Sequence, residues 1–96
     1  MINKKPNLLS SFLRQMRMKA HLSQAEVASA LGYNQQFISS WERGSSSPPA
    51  NAIPKLIQIL KISPEEILEI LILESVAYWH DVVYVKNRTK KSKVSA

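Results

Sequence analysis

Apolar residues recur at helical spacing in five stretches of the chain, with short polar breaks between them. Leu9, Leu13, Met16 and Ala20 share one helical face and predict a first helix over about residues 8–20. Ser23-Gln24-Ala25-Glu26 sets a serine three residues before a glutamate, a capping box that starts a second helix at Ser23. Val27, Ala28 and Leu31 form its inward face, and Gly32 ends it because glycine takes the left-handed conformation cheaply. Asn34 is a good N-cap for a third helix running to about Arg43, with Ile38 and Trp41 turned inward and Gly44 closing it. Residues 45–49, Ser-Ser-Ser-Pro-Pro, read as a loop. Ile53, Leu56, Ile57 and Leu60 predict a fourth helix, which tolerates Pro54 only in its first turn. Ser63-Pro64-Glu65-Glu66 is a second capping box and opens a fifth helix. The end of that helix is open, since Val82-Val83-Tyr84-Val85 suits a helix or a short strand.

The fifth stretch is too apolar for one buried face. Ile70-Leu71-Ile72-Leu73 wraps all the way round a helix, and Val76, Ala77, Tyr78, Trp79, Val82 and Val83 follow. Either another chain covers this surface or a bent tail folds back on the first helix. The first alternative is expected, as a homodimer contact through Ile72, Val76, Trp79 and Val83. The chain then divides into a helical domain over 1–74, an apolar extension over 75–85 and a flexible basic tail over 86–96.

Charge follows the same divisions. Residues 1–61 carry Lys4, Lys5, Arg14, Arg17, Lys19, Arg43, Lys55 and Lys61 against Glu26 and Glu42. Residues 62–85 hold Glu65, Glu66, Glu69, Glu74 and Asp81 and no Lys or Arg, and Lys86, Arg88, Lys90, Lys91 and Lys93 follow without an acid. A basic front block suits a polyanionic partner. Cysteine is absent, which removes disulfides and thiolate chemistry. His21 and His80 are too few and too isolated for a metal site, and only two glycines leave no phosphate loop. No arrangement of nucleophile and base stands out, so neither catalysis, a cofactor nor a metal is expected. The N-terminal residues lead into no unbroken apolar run, and Glu69, Glu74, His80 and Asp81 interrupt the nearest thing to a membrane span. A soluble, cytoplasmic and nucleoid-associated protein without a membrane partner is expected.

The second and third helices are short and joined by a turn containing Gly32 and Tyr33, the spacing of a helix-turn-helix. In that unit the second helix is held by its apolar face and its N-terminal end enters the major groove of double-stranded DNA. Gln35 and Gln36 stand at that entrance, and a glutamine amide pairs bidentately with adenine N6 and N7. Tyr33 reads as a core wedge in the turn. Phe37 either packs inward or lies against a sugar or a thymine methyl.

Over residues 9–71 the chain resembles the repressor/Cro-type (XRE-like) helix-turn-helix family of phage and bacterial regulators, most specifically in "LSQAEVASALG", "ISSWERG" and "ILKISPEEIL". The resemblance implies a compact all-α, five-helix lambda-repressor-like domain that binds a pseudo-palindromic operator as a dimer. It implies base contacts from Gln35, Gln36 and Ser40, and a phosphate contact from Gln24 at the start of the second helix. Further DNA backbone contacts are assigned to Ser23, Asn34, Arg43, Ser45 and Ser46. Arg17 and Glu42 match a structural ion pair of the family. Three positions depart from its pattern. His21 and Lys61 stand where the family commonly has glycine, and the loop after Gly44 is serine rather than basic. Phosphate contacts there fall to hydroxyl and backbone N–H groups. A small repressor is the expected role, regulated by its own concentration or by a partner protein, since 96 residues leave no room for a sensory domain. Two alternatives stay open: the antitoxin of a toxin–antitoxin pair, whose apolar segment holds the toxin, and an interaction module that has lost DNA binding. An anti-repressor is a further candidate protein partner.

Overall fold

Capping decides where the helices begin. In the computed structural model, which describes residues 7–86, α1 spans Leu8–Lys19, α2 Gln24–Leu31, α3 Gln35–Arg43, α4 Ile53–Leu60 and α5 Pro64–His80. Ser23 caps α2 as its sequence requires. Its hydroxyl accepts from the Glu26 N–H at 3.0 Å, and the Glu26 carboxylate accepts from the Ser23 N–H at 2.8 Å. Asn34 caps α3 by accepting from the Gln36 N–H at 3.0 Å. The capping box expected at Ser63 is half formed. Ser63 accepts from the Glu66 N–H, but its hydroxyl donates to Glu65, and no return bond from Glu66 is made. An unexpected reciprocal cap starts α1. The Asn7 side chain accepts from Ser10 N–H at 2.8 Å, and the buried Ser10 hydroxyl accepts from Asn7 N–H at 2.7 Å.

The elements close around one apolar centre. Leu9 and Leu13 of α1, Val27, Ala28 and Leu31 of α2, Ile38 and Trp41 of α3, and Leu56 and Leu60 of α4 are buried together with Ala52, Ile62 and Ile67. Met16, Ala20, Ile53 and Ile57 pack against this cluster without being fully covered. A short 3₁₀ turn, Ala50–Ala52, precedes α4 and buries Ala52. Pro54 sits in the first turn of α4, where its missing N–H costs nothing. α2 and α3 pack on each other, α1 lies across α3, and α4 closes against α2.

α5 packs on α1 but outruns it. Its first half buries Ile67 and half-buries Ile70 and Leu71. Glu74 reaches back to the start of α1, where its carboxylate accepts the Leu8 N–H at 2.7 Å and satisfies one of that helix's free donors. α5 passes through residues 74 and 75 without a break. Beyond His80 the helix widens into a π-helical stretch, Asp81–Lys86, so residues 82–85 are helical rather than a strand. The basic tail beyond Lys86 lies outside the described residues.

Two non-glycine residues take left-handed backbone angles, His21 at φ 59° and Lys61 at φ 55°. These are the two positions at which the resemblance implies glycine. A side chain in that conformation is strained by about 1 kcal/mol. Lys61→Gly should therefore raise the unfolding free energy by about 1 kcal/mol, less the flexibility that glycine adds to the unfolded chain. Urea denaturation of the two proteins would measure it, and an equal or lower midpoint for the variant would contradict the strain.

Candidate nucleic-acid interface

α3 is anchored by one face only. Ile38, Trp41 and Glu42 are buried, while Gln35, Gln36, Phe37 and Arg43 are exposed and Ser39 and Ser40 are half-buried. The helix thus presents a polar entrance and a firmly held base, fixed by a left-handed Gly44 at φ 79°. Gly32, also at φ 79°, makes the turn from α2 into α3.

A charged network ties this helix to the others. Glu42, near the end of α3, is 5% exposed and Arg17 of α1 is 14% exposed. Arg17 donates to Glu42 through Nε at 2.6 Å and Nη2 at 3.0 Å, in fork geometry. Its Nη1 donates to the Leu22 carbonyl at 2.8 Å, holding the segment between α1 and α2. The hydrogen bond to Glu42 holds the guanidinium protonated above its ordinary value, outweighing burial, which acts the other way. A base with a raised folded pKa loses its contribution only as pH rises through that value, so the arginine side of the pair is constant across the neutral range.

Gln24 joins the same network. Its amide Nε2 donates to Glu42 Oε1 at 3.0 Å, and its carbonyl stands 3.5 Å from Gln35 Nε2, a long contact. Gln24 and Gln35 therefore lie side by side at the α2–α3 edge, Gln24 half-buried and Gln35 exposed. Gln36 is exposed, and no side-chain bond holds its amide among the described residues. Ser23 and Asn34 are exposed, each with its side-chain oxygen engaged in capping. Arg43 is exposed and its guanidinium donates to the Ser39 hydroxyl one turn back.

The serine loop departs from expectation. The N–H groups of Ser45 and Ser46 both turn back to the Ser40 carbonyl, at 3.0 and 3.4 Å, closing the C-terminus of α3. Both serines are exposed, and their hydroxyls take no part in that closure. Tyr33 occupies the turn half-buried, edge-on to Trp41 at 5.4 Å, in the wedge position. Phe37, left open between inside and outside, is 51% exposed.

On α5, Ile72, Val76, Trp79 and Val83 are all exposed, Trp79 at 57%. Ile72, Val76 and Trp79, at spacings of four and three, share one stripe of α5, and Val83 follows in the π-helical stretch. Leu73, Tyr78 and Tyr84 are exposed outside that stripe. Among the described residues, no cluster of three or more His, Cys, Asp and Glu forms a metal-binding group. No helix among them is long and apolar enough to cross a membrane.

Two capped helices joined by a left-handed glycine, the second braced from below and open at its entrance, define a helix-turn-helix unit. A family model for the helix-turn-helix matches residues 13–67, more than half of the sequence, and the chain belongs to that family. It is 34% identical over 61 residues to the uncharacterized HTH-type transcriptional regulator y4dJ of Sinorhizobium fredii, covering 64% of this chain and 79% of that protein. It is 33% identical over 55 residues to the uncharacterized HTH-type transcriptional regulator Rv0474 of Mycobacterium tuberculosis, covering 57% of this chain. There the match spans only 39% of the mycobacterial protein's length. In fold it is similar to crystal structures of two variants of the restriction-modification controller protein C.Esp1396I. Their TM-scores are 0.60 and 0.59 at 22% and 23% identity, over 71% and 73% of this chain and 91% and 89% of those.

Removing one partner of the Arg17–Glu42 pair leaves the other buried and unpaired. Glu42→Ala should destabilise the fold by about 3 kcal/mol, the low end for such pairs because Arg17 retains some access to water. The double replacement Arg17→Met with Glu42→Leu should recover much of that loss. Thermal unfolding of the three proteins would show it, and equal losses in single and double variants would contradict a coupled pair.

Proposed function

We propose that the chain is a sequence-specific DNA-binding transcriptional regulator, a repressor that reads a pseudo-palindromic operator as a homodimer. The observation that carries this reading is α3 itself. Its buried face is fixed to α1 and α2, and its free N-terminal end offers two adjacent glutamines with amide donors and acceptors for base edges. Gln35, Gln36 and Ser40 contact bases. Gln24, Ser23, Asn34, Arg43, Ser45 and Ser46 contact the sugar-phosphate backbone, the serines of the loop through their hydroxyls. One amide hydrogen of Gln24 is engaged by Glu42, and the other is available for a phosphate. The transcriptional-regulator names of the relatives agree with this reading. Double-stranded DNA is then the partner, and the bacterial cytoplasm, at the nucleoid, is its place of work.

A palindrome reader needs a twofold axis, and the Ile72–Val76–Trp79–Val83 stripe is the surface proposed to provide it. A second reading, an antitoxin whose α5 holds a toxin protein, draws on the same exposed stripe. Selection of bound sequences from a random DNA pool would separate DNA reading from a pure interaction role, and would give the half-site spacing.

With a selected site in hand, Gln36→Ala should weaken binding by about 1–3 kcal/mol and relax preference at one base pair. Gln24→Ala should weaken binding to all sequences more evenly. Equal losses on specific and random DNA for both variants would defeat this assignment of roles.

Trp79→Ala should cost the dimer a few kcal/mol of association free energy, because buried aromatic anchors dominate such interfaces. Sedimentation of both proteins would reveal it. A wild-type chain that stays monomeric at high micromolar concentration would count against the twofold contact, and a variant that remains fully dimeric would move it elsewhere.

A further inference from the structure

Phe37 has no task in the core. Ile38 and Trp41 occupy the inward face of α3, and Phe37 keeps 51% of its surface in solvent. Yet the ring is not loose. It stands edge-on to Tyr33 with ring centres 5.5 Å apart at 89°, and Tyr33 stands edge-on to the buried Trp41 at 5.4 Å. Two aromatic contacts of this kind hold an apolar edge in a fixed place, anchored to the core.

The place matters. Phe37 follows Gln36 directly and lies three residues before Ser40, so on the helix surface it adjoins Ser40, which itself adjoins Gln36 across one turn. A fixed apolar edge thus flanks the polar row at the entrance of α3. A base pair offers few apolar groups in the major groove, and the salient one is a methyl on C5 of a pyrimidine.

We propose that Tyr33 and Phe37 form a subsite for a pyrimidine C5-methyl group, with Phe37 as the contacting side chain and Tyr33 as its support. The methyl belongs to thymine or to 5-methylcytosine. The proposal rests on the reading of α3 as a recognition helix and adds an apolar determinant to its hydrogen-bonding ones.

The test uses the full chain and DNA sites selected from a random pool. In one arm each thymine is replaced in turn by deoxyuridine, which keeps every hydrogen bond and removes only the methyl. In the other, each cytosine is replaced by 5-methylcytosine. At one position per half-site, wild-type protein should lose affinity about fourfold on deoxyuridine, or gain about fourfold on 5-methylcytosine, the effect of taking one methyl out of water. The first result identifies thymine as the source and the second 5-methylcytosine. Phe37→Ala should bind the methylated and unmethylated bases equally at that position. Phe37→Leu should keep part of the difference, and Gln36→Ala should keep it while relaxing base preference. Specific binding with no sensitivity to any methyl, or a Phe37→Ala protein that retains the full sensitivity, overturns the subsite and leaves the recognition helix standing. Failure to enrich any sequence overturns the recognition-helix reading and the subsite with it.

Discussion

A carboxylate buried at the end of a helix needs donors around it, and Glu42 collects three from two other helices. Arg17 brings α1, and Gln24 brings the first residue of α2. Arg17 also clasps the Leu22 carbonyl, so the link between α1 and α2 hangs on the same group. The apolar core brings the helices together without direction. The guanidinium fork supplies direction, because its parallel bonds accept only a narrow range of angles. The pose of α3 relative to α2 therefore depends on a charge that neither helix could bury alone.

Much of this was legible in the chain. The helix starts at Ser23, Asn34 and Ser63 and the stops at Gly32 and Gly44 follow from local chemistry that tertiary contacts do not override. The cap at Asn7 leaves little trace in the sequence, because its third helical residue is serine rather than glutamate. The 3₁₀ turn at Ala50–Ala52 and the π-helical stretch at Asp81–Lys86 are small changes in backbone pitch that apolar spacing does not encode. At the interface, the exposed row of α3 was readable from its spacing. The pairing of Arg17 with Glu42 came from the family resemblance alone, since 25 residues separate the two. The diversion of Gln24 toward Glu42 and of the Ser45 and Ser46 N–H groups toward Ser40 had no sequence signal, because each depends on how a neighbour's acceptor is left over after folding.

α5 shows a different balance. Its first turns complete the core with Ile67, and Glu74 fastens it to the start of α1. Past that point the helix continues with apolar residues, and Val76, Tyr78, Trp79, Val83 and Tyr84 stay exposed among the described residues. A helix that needed only to be soluble would carry charge there, whereas residues 75–80 hold no Asp, Glu, Lys or Arg. The apolar surface of α5 thus extends past the part that completes the core, which is the surface the proposed twofold contact would use.

Adjacent identical residues on α3 do not stand equal. Gln35 lies within reach of Gln24, which is itself held by Glu42, while the Gln36 side chain is free to sample its rotamers. Fixing a glutamine side chain costs up to about 2 kcal/mol in rotamer entropy. In the proposed complex Gln35 has surrendered part of that freedom before any DNA arrives, and Gln36 surrenders all of it on contact. The same chemical group therefore binds with a different thermal signature at neighbouring positions. In that proposed complex Gln35 would be the more restrained reader of one base pair, and Gln36 the more adaptable reader of the next.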